Sequence, residues 1–186
     1  MTNEDTTNEY IVKHYVESKH SNTHHFYLSG EIEDKIEHYF DLINTLKTAN
    51  EEDTIIIYIN SEGGSLRMAI QIVNSIMACN AHVVTSLDGD AHSAASIIFM
   101  AGREYIVHPN CSFMIHNYSG WFTGKGHEMR TRIDHMNDSI SKLLHNYYSK
   151  ILSNDEIEEV LNGKDIWMDS EELVERLEQH DDNTQC

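Results

Sequence analysis

Two small-residue segments carry groups suited to acyl transfer. Glu62-Gly63-Gly64-Ser65 and Asp88-Gly89-Asp90-Ala91-His92-Ser93-Ala94-Ala95-Ser96 each follow an apolar run and precede a helical one. In parallel α/β folds, sites form at the carboxyl ends of strands. A Gly-Gly turn permits close backbone approach and can aim N–H groups at a developing oxyanion. Serines opening a helix lie near unpaired N–H groups that favour negative charge, although the position suits a simple capping serine equally well. A serine nucleophile needs a base, and His116 ends the strand-like Phe113-Met114-Ile115 at the mouth of a glycine-containing loop. His92 adjoins Ser93, but successive helical residues point about 100° apart, so a structural role is expected of it. The group that orients the imidazole could be Asp165, which the neighbouring Ile166-Trp167 would shield from water, or Asp88 or Asp90. Residue types and spacing leave Ser93 against Ser96, and these three aspartates, open.

The elements that must position these groups alternate between strand and helix. Phe26-Tyr27-Leu28 reads as a short strand ending in a Ser29-Gly30 turn. Ile36, Phe40, Ile43 and Leu46 then form one helical stripe from Glu31 onward. Thr54 to Asn60 is a run of β-branched and aromatic residues, the pattern of a parallel strand covered on both faces. Ser65 can cap a helix with Ala69, Ile72, Val73, Ile76 and Met77 inward, followed by a strand at His82 to Leu87. Gly89 to Met100 reads as a turn and an apolar helix, and Tyr105 to Val107 and Phe113 to Ile115 as strands. From Glu128 to Lys150, Met129, Ile133, Met136, Ile140, Leu143 and Tyr147 recur at three- and four-residue steps, a heptad-like seam that suits a partner helix from another subunit or the chain's own core. Short helices at Asp155 to Leu161 and Ser170 to Leu177 flank Gly163 to Trp167. The fold class is α/β.

Composition excludes several functions. With 31 acidic against 13 basic residues the formal charge is −18, which repels nucleic-acid backbones and anionic membrane surfaces. Three widely spaced cysteines form no Cys-x-x-Cys pair and fit a reduced, cytoplasmic protein. The polar, acidic start lacks the features of a signal peptide, and no run approaches bilayer-spanning length. Thirteen histidines show no metal-ligand spacing, so no metal or other cofactor is expected. Their collective effect would be charge that rises below neutral pH.

In order, these motifs resemble the proteolytic subunit of the Clp protease, including the Clp-like peptidases with which tailed bacteriophages mature their heads. The resemblance runs from about Phe26 to Leu177. It rests on Phe26-Tyr27-Leu28-Ser29-Gly30-Glu31-Ile32, on Tyr58-Ile59-Asn60-Ser61-Glu62-Gly63-Gly64-Ser65 and on Gly89-Asp90-Ala91-His92-Ser93 with Met100-Ala101-Gly102. It continues in His108-Pro109-Asn110 with Phe113 to Asn117, and in Asp165-Ile166-Trp167-Met168-Asp169-Ser170-Glu171-Glu172. Each block is short, and five in the family's order are a strong signal. The resemblance implies a crotonase-like twisted α/β unit with a projecting oligomerisation helix. It assigns Ser93 as nucleophile, His116 as base and Asp165 as third member, with the N–H groups of Gly64 and Ala94 as oxyanion hole. Ser96 lies three residues too close to Ala101-Gly102 to fill the nucleophile's place.

The expected organisation is a flexible segment at 1–25, a Clp-like peptidase domain at 26–178 and an acidic tail at 179–186. The expected activity is serine endopeptidase hydrolysis of polypeptides through an acyl-enzyme. The resemblance further implies homo-oligomeric seven-membered rings, stacked in pairs, and an AAA+ unfoldase that alone would use ATP. Glu62 and Asn117 stand where the family usually has proline, and the N-terminus shows no match to the family's axial gate. The alternatives are phage head maturation by the same chemistry, a crotonase-type acyl-CoA enzyme, and a catalytically silent ring subunit. A crotonase would not need Ser93, His116 and Asp165 together, and the chain lacks basic residues expected around a CoA phosphate.

Overall fold

Seven strands and six α-helices alternate along the chain in the computed structural model, which describes residues 14–18 and 21–184. The strands are β1 (His14–Ser18), β2 (Asn22–Ile32), β3 (Thr54–Gly64), β4 (His82–His92), β5 (Glu104–Val107), β6 (Ser112–Ile115) and β7 (Ile166–Asp169). They form one sheet in the order β1-β2-β3-β4-β6-β7, with β5 also paired to β4. Pairs β2/β3, β3/β4, β4/β5 and β4/β6 are parallel, whereas β1/β2 and β6/β7 are antiparallel. The α/β expectation is met.

The helices are α1 (Phe40–Thr48), α2 (Leu66–Met77), α3 (Ala94–Met100), α4 (Gly126–Tyr148), α5 (Asn154–Leu161) and α6 (Ser170–Thr184). Every residue of α3 is buried, as its apolar circumference requires; it packs against α2, α4, β3 and β4. The core facing it comprises Ile55, Ile57 and Ile59 of β3, Val83 and Leu87 of β4, and Phe113 and Ile115 of β6. Ser65 caps α2 as expected, its hydroxyl accepting from the Met68 N–H at 3.2 Å. Among the described residues no helix is long and apolar enough to cross a membrane.

Four local expectations need correction. Strand structure occupies His14–Ser18 and begins again at Asn22, inside the segment read as flexible, because backbone pairing between Thr23–Phe26 and Thr54–Ile57 does not depend on the polar side chains there. Residues 1–13 lie outside the described part. Of the stripe Ile36, Phe40, Ile43 and Leu46, the last two are buried, but Ile36 and Phe40 face outward, Phe40 being 61% exposed, because a 3-10 turn at Ile36–His38 shifts the phase and buries Tyr39 and Leu42 in their place. β3 is fully buried on one face only. Ile56 and Tyr58 on the other are half-buried, and Tyr58 stacks on the partly exposed Tyr27 at 4.7 Å. Finally, α6 continues to Thr184 through most of the segment read as a tail, anchored by buried Leu173 and half-buried Leu177, with 185–186 outside the described part.

The long helix α4 divides into two regimes. Ile140, Leu144 and Tyr148, spaced by four, face the chain's own core, with Met136, Leu143 and Tyr147 flanking them. Toward its start, Ile133 is 40% exposed. The seam therefore serves the chain's own core at its C-terminal end and is unburied in the chain alone at its N-terminal end.

Candidate active site

The Ser93 turn exists because β4 runs farther than its apolar residues. Gly89–His92, read as a turn, remain strand: Ala91 pairs with Ser61 of β3, and Asp90 to His92 pair with Ser112 to Met114 of β6. The Asp90 N–H donates to the Asn60 side-chain oxygen at 3.0 Å, bridging the irregularity between Ile59 and Ser61. β4 and α3 are joined by a single residue, Ser93. Its φ of 54° and ψ of −121° lie outside the regions that L-residues favour. Such strain, on the order of 1–3 kcal/mol, persists only where surrounding contacts over-determine it. Here the Ser93 N–H donates to the Met114 carbonyl at 2.9 Å and its own carbonyl accepts from the Ser96 N–H at 3.0 Å.

His116 follows β6 directly, and its Nε2 lies 2.6 Å from Ser93 Oγ. For the hydroxyl to donate, Nε2 must be the unprotonated nitrogen and Nδ1 must carry the proton. The loop beyond is tied down by Asn117, whose side-chain amide donates to the Leu161 carbonyl of α5 at 2.8 Å. Tyr118 OH donates to the Asn137 side-chain oxygen of α4 at 2.9 Å. Asn117 thus fixes the loop with a hydrogen bond at a position where a proline would have fixed it by its ring.

Ser96 has a different environment. It is wholly buried, and its Oγ donates to the Ser93 carbonyl at 2.6 Å and lies 2.6 Å from Tyr148 OH. No imidazole is bonded to it. His92 Nε2 meets Ser112 Oγ at 2.9 Å, in keeping with a structural role.

Asp165 and His116 each lie one residue beyond the last registered pair of β6 and β7. β6 and β7 are antiparallel with Ile115 opposite Ile166, which sets residue 165 across from residue 116 one step farther on. No ion pair joins the two among the described residues. Asp165 is exposed, not shielded, because alternation along β7 turns Ile166 and Met168 inward and their neighbours outward. Trp167 is 57% exposed and contacts the His92 ring. The competing aspartates are engaged elsewhere: Asp88 accepts from Ser86 Oγ at 2.7 Å, and Asp90 lies 3.8 Å from His92.

The glycine pair lies directly against the Ser93 turn. A Cβ on Gly63, whose φ is +95°, would come within 2.5 Å of the His92 carbonyl and 2.8 Å of Ser93 Cβ. The Gly63 N–H is fixed by Ser61 Oγ at 3.1 Å, and Ser61 Oγ in turn donates to the Gly30 carbonyl. Ala94 opens α3, so its N–H has no intrahelical acceptor. Gly64, Ser93, Ala94 and His116 share a cleft of about 580 Å³ walled by Ile97, Met114, Ile140, Leu143 and Phe122. Glu62 is the single carboxylate in its lining and His116 the single imidazole.

The sequence-level reading missed the groups that hold the turn, namely the Met114 carbonyl, Ser96 and Tyr148. Ser96 was visible only as a competitor, and backbone acceptors leave no signal in side-chain types.

A model of the Clp protease family matches residues 9–176. An ATP-dependent Clp protease proteolytic subunit of Ligilactobacillus salivarius (strain UCC118) is 31% identical over 118 residues, covering 59% of this chain and 57% of that protein. The matched stretch thus spans little more than half the length of the curated relative. A family match across nearly the whole described fold, with a serine and a histidine bonded at its centre, means that the chain belongs to the Clp protease family.

Proposed function

We propose that the chain is a serine endopeptidase that cleaves polypeptides through an acyl-enzyme on Ser93. The observation that carries this reading is the 2.6 Å contact between Ser93 Oγ and His116 Nε2, made by a serine held in a strained turn beside a glycine pair. Ser93 Oγ attacks the peptide carbonyl as His116 Nε2 takes its proton, and the same imidazole then protonates the leaving amine. Water, deprotonated by His116, releases the acyl group. The N–H groups of Gly64 and Ala94 stabilise the oxyanion, a contribution of about 2.7–4 kcal/mol per donor in comparable sites. Asp165, across from His116 in the β6/β7 register, accepts from Nδ1 after a side-chain rotation. No cofactor enters these steps.

The exposed start of α4, with Ile133, supports assembly with further copies. We assign the seven-membered, paired rings of the family to that contact. An AAA+ unfoldase supplies the ATP dependence that the relative's name records. The buried free thiols of Cys79 and Cys111 suit a cytoplasmic setting.

The test is labelling with a fluorophosphonate probe beside turnover of a fluorogenic peptide. Wild type and Ser96→Ala should label and Ser93→Ala should not. Labelling that survives loss of Ser93, or a wild type that never labels, sinks the assignment.

A further inference from the structure

Behind the nucleophile lies a buried polar chain that the acyl-transfer steps do not use. Ser96 Oγ is 2.6 Å from the Ser93 carbonyl oxygen and 2.6 Å from Tyr148 OH, and both Ser96 and Tyr148 are almost wholly buried. The order of donors follows from elementary inventory. A carbonyl can only accept, so the Ser96 hydroxyl must donate to Ser93, and Tyr148 must donate to Ser96. Burial pushes the Tyr148 phenol well above its usual range, which keeps the donor protonated. Hydrogen bonds in such a chain polarise one another and gain strength out of water.

The two ends of this chain belong to different parts of the molecule. Tyr148 is the last residue of α4, whose C-terminal row seats on the core while its beginning is exposed. Ser93 is the one residue linking β4 to α3, in a conformation that needs external restraint. Its N–H is held from β6 through Met114, and its carbonyl by the Ser96 N–H of α3 and, through the Ser96 hydroxyl, from α4. The two peptide groups flanking the nucleophile are thereby fixed by separate elements.

We propose that Tyr148 is a positioning residue that, acting through Ser96, holds the Ser93 carbonyl and so sets the direction of Ser93 Oγ toward His116, linking the seating of α4 to the reactivity of the nucleophile. The proposal rests on Ser93 being the nucleophile. It concerns rate, not substrate affinity, because both hydroxyls are buried and engaged in the chain.

The test compares Tyr148→Phe, Ser96→Ala and the double variant by phosphonylation rate, peptide kcat and KM, and unfolding in urea. Ile157→Ala, at a buried residue of α5 outside the cleft, serves as a destabilised control. Tyr148→Phe should slow phosphonylation and kcat about five- to tenfold with KM unchanged, as loss of one well-placed hydrogen bond implies. Ser96→Ala strands the Tyr148 hydroxyl, so it should lose more stability than the double variant, in which no buried group is left unpaired. The double variant should nevertheless stay as slow as Ser96→Ala. A rate that recovers with stability, or that falls equally in Ile157→Ala, overturns the proposal. Independently of turnover, the Ser93 carbonyl 13C shift and the His116 ring 15N shifts followed by NMR should both move in Tyr148→Phe. Unchanged signals refute the proposal even if the chain never reacts with the probe, a result that would separately defeat the assigned activity.

Discussion

Replacing Gly63 by alanine should damage stability and activity together, and the structure supplies the parts of both. The added methyl carbon would lie 2.5 Å from the His92 carbonyl oxygen, 2.8 Å from Ser93 Cβ and 3.1 Å from the Ala94 nitrogen, none of them the free end of a flexible side chain. A positive φ costs an L-residue about 1–2 kcal/mol, and forcing a methyl into a filled space costs about 1–3 kcal/mol more. The total is about 2–5 kcal/mol. Gly163 provides the internal reference. Its φ is +99°, yet a Cβ there would meet nothing within 4 Å, so Gly163→Ala should lose only the conformational share, about 1–2 kcal/mol. Urea unfolding of the two variants isolates the steric part as their difference. Because the crowded atoms include Ser93 Cβ and the Ala94 nitrogen, Gly63→Ala should also slow phosphonylation of Ser93 about 100-fold, the scale of a lost oxyanion donor, whereas Gly163→Ala should react at the wild-type rate. Equal stability losses in the two variants, or a Gly63→Ala protein that reacts normally, would refute the placement of the glycine pair against the nucleophile.

Three further outcomes follow from other parts of the molecule. Asp53 accepts from the backbone N–H groups of Asn22 and Asn50, which hold its carboxyl below the usual carboxylate range. Its stabilisation is therefore complete above the unfolded value of about 3.9 and is lost as pH falls through the lower folded value. Asp53→Asn should be about 1.5–3 kcal/mol less stable than wild type at pH 7, a gap that urea titrations should find shrinking below about pH 4. Glu62 brings the cleft its single carboxylate, so Glu62→Gln should reduce the preference for peptides carrying Lys or Arg near the cleaved bond by about two- to fivefold, read as kcat/KM ratios across a peptide set. Ile133→Asp should lower the mass measured by light scattering toward that of one chain while changing monomer stability by less than about 0.5 kcal/mol. An unaltered mass would remove the start of α4 from the subunit contact.

Much of this was legible in residue types. The β-branched run at Thr54 to Asn60, the apolar circumference of α3 and the stripe of α2 each report a local requirement, and each forms the element it suggests, except that Met77, read as inward at the end of α2, is 61% exposed. The segments around Gly63 and Gly89 did not, because their strand character comes from partners about 20–30 residues away. Glu31 and Ile32 pair with Gly63 and Gly64, and Ser112 to Met114 with Asp90 to His92. Local turn chemistry outweighs such pairing when only the sequence is read. Along α4, a seam ending in Tyr147 misses Tyr148 by one position, since a 3.5-residue repeat drifts from the 3.6-residue helix. At the site, His116 stood out by type and place, whereas the choice of Ser93 over Ser96 required the resemblance. Asp165 required the resemblance, and its register with His116 became visible only with β7 in position.

The pairing of β4 has a consequence for when activity arises. Its first half borders β5 and its second half β6. β6 supplies the carbonyl that holds the Ser93 N–H and leads directly into His116. Ser93, its restraint and His116 are therefore brought together by one docking event, between strands about 20 residues apart in sequence and contiguous only in the folded sheet. A chain still emerging from the ribosome, or one whose β6 has detached, carries Ser93 without strain and without a base. On the proposed mechanism, reactivity at Ser93 is then confined to molecules in which β6 has docked against β4.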